Sequence, residues 1–382
     1  LVCEAPLGEP RVQILSIPPA ASPVIGVHCG TSVHVIAIDR GEPRRIWRLE
    51  LGRSGTPAAK GGDDRAWTDR AGDLLATDLN GDGAVDLIVG TVRYDEHGSP
   101  RSGVLLSTLR SSTGSFDAPR LIAPLSVAAM VATELDAAPG GDLAIARMED
   151  SRLARGNELL LLRGGPAPVK LITLPAGVGV DLLGAADLDL DGQSDLILAG
   201  RARGTELVFL EAGGRPKRRV ALDALRASAV LIGDLNGDGK PDVLLPGAEP
   251  SAILASAENS GVVRSLPSLR DLENVRIADW NGDGKLDVFG IRAHALVALM
   301  LRDNLEFESH VITPWLDQEF ELRGAVSGRV YGDPSGLVLI ASPVRARGRA
   351  ELLLTKVVPD DLSSTRTEMV PDAPLCQHLS MP

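Results

Sequence analysis

One acidic nonapeptide punctuates this sequence. It reads Asp78-Leu-Asn80-Gly-Asp82-Gly-Ala-Val-Asp86, then Asp187-Leu-Asp189-Leu-Asp191-Gly-Gln-Ser-Asp195, then Asp234-Leu-Asn236-Gly-Asp238-Gly-Lys-Pro-Asp242, and finally Asp279-Trp-Asn281-Gly-Asp283-Gly-Lys-Leu-Asp287. A worn copy, Glu134-Leu-Asp136-Ala-Ala-Pro-Gly-Gly-Asp142, lies between the first two. Each copy runs straight into a short apolar segment: Leu87-Ile88-Val89, Leu143-Ala144-Ile145, Leu196-Ile197-Leu198, Val243-Leu244-Leu245 and Val288-Phe289. Carboxylates or amides therefore stand at positions one, three, five and nine of a tight loop, with Gly83, Gly192, Gly239 or Gly284 at position six.

That spacing suits oxygen ligation of a hard cation. Alternate residues of a tight loop turn their side chains inward together, the glycine permits the sharp bend, and a backbone carbonyl at position seven plus the carboxylate at nine complete a cage of Ca²⁺ size. An EF-hand needs Glu at position twelve and a helix on either side. Position twelve is Val89, Leu198, Leu245 or Gly290, and the flanks are short and aliphatic, so they read as strands. Asp, Asn and Gly dominate ordinary turns as well, but four copies in one register favour ligation over turn chemistry alone.

The loops begin at 78, 134, 187, 234 and 279, at intervals of about 45–56 residues, a period that signifies an array, a solenoid or a propeller. Four short strands fit within one unit. Around the fourth acidic loop they are expected at Ala229–Gly233, Val243–Pro246, Ala252–Ser256 and Val262–Leu266, and four short strands per repeat make a propeller blade. The strands are continuously apolar, as when neighbouring blades cover both faces. The same rhythm occurs before the first loop and after the last, where Pro18-Pro19-Ala20-Ala21 and Tyr331-Gly332-Asp333-Pro334-Ser335 replace the acidic residues. The expected fold is all-β, a single seven-bladed β-propeller of four-stranded blades over 11–370. Its blades fall at about 11–51, 73–122, 127–174, 180–222, 228–267, 273–313 and 323–370, between an N-terminal segment 1–10 and a tail 371–382. Gly52 to Gly72, carrying Trp67, reads as a long surface connection, and the tail is Pro-rich.

The formal charge of −12 argues against general nucleic-acid binding. No apolar run approaches the ~20 residues of a membrane-spanning helix. The chain starts at Leu1 rather than Met, which fits a removed leader or an excerpt. Cys3 and Cys376 flank the expected terminal blades and are read as a closing disulfide, with Cys29 left as a free thiol.

At the acidic loops the chain resembles the FG-GAP and VCBS repeats, the propeller repeats of integrin α subunits and of many bacterial surface proteins. The shared pattern is Asp-apolar-(Asn/Asp)-x-Asp-Gly-x-x-Asp followed by an apolar strand, over about Arg11 to Val370. The resemblance implies that each loop joins the first two strands of a blade and holds Ca²⁺, giving about four structural sites. Carried over residue by residue, the ligands are Asp78, Asn80, Asp82 and Asp86; Asp187, Asp189, Asp191 and Asp195; Asp234, Asn236, Asp238 and Asp242; and Asp279, Asn281, Asp283 and Asp287. Glu134, Asp136 and Asp142 form a weaker set, since Ala138 replaces the carboxylate at position five. The Phe-Gly and Gly-Ala-Pro signatures are not kept in repeated form.

Enzyme signatures are sparse, and no catalytic residue is assigned. The six histidines show no metal-ligand spacing, and neither a Gly-x-Ser-x-Gly elbow nor a phosphate-binding loop is present. Trp280 stands at loop position two, where other copies have Leu79, Leu188 and Leu235, and reads as packing. Arg215-Pro216-Lys217-Arg218-Arg219 reads as a solvated basic face. The turns between second and third strands carry arginines, among them Arg93, Arg152, Arg203, Arg292 and Arg347. These are either solvated turns or an electropositive face for an acidic partner. The expectation is an extracellular, cell-surface or periplasmic Ca²⁺-stabilised module for adhesion or recognition of a protein or acidic glycan. The alternative is a polysaccharide-active, lyase-like enzyme on the same scaffold.

Overall fold

The structure is a computed structural model. It describes residues 11–15, 24–29, 32–39, 42–50, 68–94, 100–101, 105–108, 117–123, 125, 127–136, 138, 140–150, 155–165, 169–200, 204–256, 262–279, 283, 285–293, 295–302, 305–313, 320–330, 333–343, 353–357 and 368–369. Among these the strands pair antiparallel, in chain order, into seven sheets. The first contains β1 (Arg11–Leu15), β2 (Val24–Cys29), β3 (Ser32–Asp39) and β4 (Glu42–Glu50). The second contains β5 (Thr68–Thr77), β6 (Asp86–Tyr94), β8 (Leu105–Thr108) and β9 (Arg120–Ala123), with the short β7 (Pro100–Arg101) on β6. The third is β10 (Val127–Thr133), β11 (Asp142–Asp150), β12 (Arg155–Arg163) and β13 (Val169–Val180). The fourth is β14 (Leu182–Ala186), β15 (Asp195–Gly200), β16 (Gly204–Glu211) and β17 (Arg215–Leu222). The fifth is β18 (Leu231–Gly233), β19 (Asp242–Leu245), β20 (Ser251–Leu254) and β21 (Val262–Ser265). The sixth is β22 (Glu273–Ala278), β23 (Asp287–Arg292), β24 (Ala295–Leu301) and β25 (Phe307–Thr313), and the seventh is β26 (Phe320–Val330), β27 (Asp333–Pro343), β28 (Leu353–Val357) and β29 (Glu368–Met369).

The chain divides into two compact units. One comprises Leu1–Leu49, Asp234–Asp238 and Asp271–Pro382; the other comprises Glu50–Gly233 and Gly239–Arg270. In the second unit the first strands of successive sheets, β5, β10, β14 and β18, neighbour one another in sequence order. In the first unit β22 neighbours β26, and β26 neighbours β1.

The apolar runs after the acidic loops explain the packing. All six residues of β15 and all four of β19 are buried. β15 is covered on both faces because the fourth sheet packs against the third and the fifth, which is why its sequence does not alternate. Fourth strands are wetter: Arg215 to Arg218 at the start of β17 are exposed. In the second unit one core cluster joins Ala144, Leu159 and Leu161 of the third sheet to Leu196, Leu198 and Val208 of the fourth. Another joins Ile197, Leu207 and Phe209 to Val243 and Ile253 of the fifth. Close approach is set by missing side chains. A Cβ on Gly90 would stand 2.7 Å from the Cβ of Val127, and one on Gly184 would stand 2.5 Å from a methyl of Val230.

One expectation about the connections is corrected. The stretch from Gly52 to Gly72 is not all connection, because β5 begins at Thr68 and pairs with Tyr94. The register slips between Ala71 and Asp73, so Gly72 sits at a bulge, where a glycine relieves the extra residue. Trp67, Cys3, Cys376 and the tail lie outside the described residues, as does the side chain of Cys29, and with them the expected disulfide.

Candidate metal centre

Each acidic loop joins the first and second strands of its sheet, and the burial of its members differs sharply. Position two is an apolar anchor: Leu79, Leu135, Leu188 and Leu235 are buried. Position nine opens the second strand, and the carboxylates of Asp86, Asp195, Asp242 and Asp287 lie on residues with 0% exposure. Buried charge must be hydrogen-bonded, and here it is. One oxygen of position nine accepts the position-two N–H: Leu79 to Asp86 at 3.0 Å, Leu135 to Asp142 at 2.7 Å and Leu188 to Asp195 at 3.0 Å. The other oxygen accepts an N–H beyond the third strand or at its end: Gly164 to Asp142 at 2.8 Å, Leu210 to Asp195 at 3.0 Å, Ala255 to Asp242 at 2.9 Å and Leu301 to Asp287 at 3.1 Å. Position nine is thus a brace between loop and sheet as well as a candidate ligand.

Burial pushes the Asp195 carboxyl up to about 6, against the backbone N–H bonds, those of Leu210 and Leu188 foremost, that favour its charged form. Burial also raises the Asp142 carboxyl. The position-one carboxylate organises the turn. Asp78 accepts the N–H groups of Gly81 at 2.8 Å, Asp82 at 3.2 Å and Gly83 at 2.7 Å. Asp234 accepts those of Gly237 and Asp238 at 2.7 and 3.1 Å. Asp187 accepts those of Asp191 and Gly192 at 3.0 and 2.9 Å.

Position four was missed by the sequence reading, which gave the turn to the glycine at six. Both positions are left-handed: Gly81 and Gly83 at φ 78° and 83°, Gly237 and Gly239 at 77° and 80°. In the fourth sheet position four is Leu190, at φ 61°, a conformation that costs an L-residue about 1–2 kcal/mol. The clue was in the sequence, since Gly occupies position four in the other three full copies.

The loops are also stapled to the sheet that follows. The position-one carbonyls of Asp78 and Glu134 accept the N–H groups of Gly141 and Ser194, position eight of the next loop, at 2.6 and 3.4 Å. The position-two carbonyls of Leu79, Leu135 and Leu188 accept from Gly165, Gly213 and Ser256, beyond the third strand of the next sheet, at 2.6, 2.8 and 2.9 Å.

Asp187, Asp189 and Asp195 bring one carboxylate oxygen each to within 4.8 Å of one another, a separation that a Ca²⁺ ion with ligands at 2.3–2.6 Å spans. The Asp189 side chain is 9% exposed, and its Oδ1 is buried with no hydrogen-bond partner. A buried carboxylate oxygen left unpaired is costly, and a cation would satisfy it. The donor set, all oxygen and all hard, fits Ca²⁺. In the second sheet the position-three amide plays another part: Asn80 donates to Asp82 at 3.0 Å.

The worn loop of the third sheet keeps Asp136 and Asp142 in place, with Ala138 exposed at position five. Burial, then the charges of Asp142 and Asp136, raise the Glu134 carboxyl. In the sixth-sheet loop Asp279, Asp283 and Asp287 are described, whereas Asn281 and Trp280 lie outside the described residues.

The basic run on β17 is exposed from Arg215 to Arg218, as expected of a solvated face, and its cations also find partners on the protein. Lys217 bridges Asp189 at 2.8 Å and Asp191 at 3.0 Å. Arg218 lies over the Phe209 ring, 4.1 Å from its centre, and Arg219 pairs with Glu206 at 3.2 Å. Strand pairing causes this. Arg218 and Arg219 sit opposite Phe209 and Val208, so their side chains meet the third strand while Arg218 stays exposed to water. Of the arginines expected in the turns between second and third strands, Arg292 is half-buried at the end of β23. Arg152, Arg203, Arg347 and the side chain of Arg93 lie outside the described residues.

Four-stranded antiparallel sheets following one another along an all-β chain define the class, a β-propeller. The solved structures that match it are propellers. BBS1N, in its complex with ARL6DN, matches with a TM-score of 0.56 at 11% identity, covering 93% of this chain and 94% of that one. A lectin of Agrocybe aegerita that recognises non-reducing terminal N-acetylglucosamine matches with a TM-score of 0.54 at 13% identity, covering 90% and 93%. The exotype rhamnogalacturonan lyase YesX matches with a TM-score of 0.50 at 17% identity, covering 86% of this chain, which spans 63% of the lyase. At such identities the likeness establishes the fold. Within that class, residues 187–245 match the model of the FG-GAP-like repeat, so the chain carries FG-GAP-type repeats on a β-propeller. No curated protein matches it in sequence.

Proposed function

We propose that this chain is a seven-bladed, Ca²⁺-stabilised binding module that works outside the cytosol and recognises a protein or glycan partner. The observation that carries the metal reading is the fourth-sheet loop, where three carboxylates converge and one buried Asp189 oxygen has no partner. The second-, fifth- and sixth-sheet loops repeat the oxygen donors, with Asp78, Asn80 and Asp82; Asp234, Asn236 and Asp238; and Asp279 and Asp283 at the rim. About four ions are expected, each neutralising carboxylates that otherwise repel. Extracellular modules of this kind work at ~10⁻⁴–10⁻³ M Ca²⁺, which supports a secreted, surface or periplasmic setting.

The recognition reading rests on a stiff scaffold that offers its turns to a partner, and a lectin and a protein-complex component share that scaffold. The arginine-bearing turns suit an acidic partner through forked bonds to planar anions. Melting curves with Ca²⁺ and with excess EDTA test the metal: chelation lowers the midpoint, Asp238→Ala reproduces part of the loss, and identical curves reject the metal. A glycan array with and without Ca²⁺ then tests recognition. The charge reversals Arg152→Glu, Arg203→Glu and Arg347→Glu, made together, abolish binding if those turns carry it, and unchanged affinity in a folded variant moves recognition elsewhere.

A lyase reading is the second candidate, favoured by the match to rhamnogalacturonan lyases. Incubation with rhamnogalacturonan separates the two, since a lyase releases unsaturated products and a binding module does not.

A further inference from the structure

The fourth-sheet loop differs from its siblings in two places at once. Position three is Asp189, where the second, fifth and sixth sheets have Asn80, Asn236 and Asn281. And a lysine from the fourth strand, 26 to 28 residues along the chain, lies across it. The two changes compensate. In the second sheet the Asn80 amide is itself the donor that quiets the position-five carboxylate. Asp189 is a second acceptor and cannot do this, so two carboxylates face each other and need a donor from outside. The Lys217 ammonium supplies it, 2.8 Å from one and 3.0 Å from the other, and those bonds raise its own proton affinity.

The third sheet repeats the pairing. Its position three is also an aspartate, Asp136, and Arg163 at the end of β12 stands 3.8 Å from it. The ammonium satisfies one Asp189 oxygen and leaves the buried Oδ1 with no partner. A single lysine therefore fills the place of a cation without meeting all the ligands the loop presents. Lys217 is itself 48% exposed, so it has room to leave toward water.

We propose that Lys217 is a built-in counter-cation of the fourth-sheet loop. It holds the Asp189 and Asp191 carboxylates together when no metal is bound and is displaced when Ca²⁺ enters. This rests on the reading of the acidic loops as Ca²⁺ sites and goes beyond it, for it gives the fourth-sheet loop a resident cation of its own. Among the described residues no cation pairs with Asp78 or Asp82, so the second-sheet loop binds Ca²⁺ without such a competitor, whereas the fourth-sheet loop exchanges one cation for another and fills at higher Ca²⁺. A unit charge left ~4 Å from a divalent ion would oppose it by about a factor of ten or more even with water-like screening, so the ammonium leaves its carboxylates as the ion enters. The fourth-sheet loop is then a Ca²⁺-responsive site, and the Lys217 side chain is the group that its filling releases.

The test is calorimetric titration of the full chain with Ca²⁺ after chelation, alongside metal-free melting. In Lys217→Met, which keeps the apolar stem, one site tightens by about tenfold while the metal-free melting temperature falls. The tightened site disappears when Asp187→Ala is added. Lys217→Gln, which keeps a donor without charge, shows the same tightening with a smaller loss of metal-free stability. Asp189→Asn in the Lys217→Met background rebuilds the donor pattern of the second sheet and restores the metal-free midpoint. If Ca²⁺ binds to the wild-type chain and both Lys217 variants, folded, leave every site unchanged, the counter-cation is refuted and the calcium reading stands. If neither the wild type nor any variant takes up Ca²⁺, the calcium reading itself fails and the competition falls with it.

Discussion

At the scale of single residues the acidic loop contains two kinds of carboxylate that the sequence writes identically. Asp82 is exposed at the rim, whereas Asp86 is buried and accepts the Leu79 N–H. Asp82→Ala is therefore expected to cost stability in Ca²⁺ and almost none in EDTA. Asp86→Ala is expected to cost about 2 kcal/mol in both, because it strands a buried N–H. Urea denaturation of both variants, with and without EDTA, checks the split. Asp195 adds a pH dependence. Its carboxyl rises from 3.8 to about 6 in the folded chain, so the folded state holds this proton more tightly than the unfolded state. In metal-free protein its contribution is then most favourable below about pH 4 and is lost as the pH rises toward 6. Urea midpoints in EDTA should fall across that window, and the fall should be shallower in Asp195→Asn.

The element scale is that of sheets laid against sheets. Neighbouring sheets in the second unit approach closely where a glycine omits a side chain, as at Gly184 beside Val230 and Ile232. Gly184→Val is expected to destabilise by about 1–3 kcal/mol through overpacking, visible as a lower melting temperature at every Ca²⁺ concentration. That independence from metal sets it apart from the rim substitutions. The hydrogen bonds from Gly141 and Ser194 to the preceding loop's carbonyls work at the same scale, tying one repeat to the next. In the fifth-sheet loop position eight is Pro241, which has no N–H to give, so the staple that recurs across two pairs of loops has no donor there.

For the whole molecule the question is what offsets a surplus of carboxylates. The chain has 51 acidic residues against 39 basic ones, and the acidic loops concentrate that excess. An ion bound only by the native state stabilises it by about 2.7 kcal/mol at a hundred times its dissociation constant. Several such sites make the melting temperature rise with Ca²⁺ concentration. The curve is expected to have two stages, an early one that includes the second-sheet loop and a late one from the fourth-sheet loop, and Lys217→Met should move the late stage to lower Ca²⁺.

The sequence by itself determined the repeat, the all-β class and which residues sit in the acidic loops. Those features are local: a nonapeptide sets its own turn, and the apolar run behind it needs only its own composition to be a strand. The strands around Asp234 illustrate this, expected at Val243–Pro246 and Val262–Leu266 and found at Asp242–Leu245 and Val262–Ser265. The tertiary structure alone decided which carboxylates brace and which face outward, that Leu190 takes a glycine's conformation, and that Lys217 closes on Asp189 and Asp191. Each of these depends on strand register and on bulges that fold distant segments together. The slip between Phe209 and Leu210 lies beside Lys217, and a one-residue change of register there would send its side chain to the opposite face of the sheet.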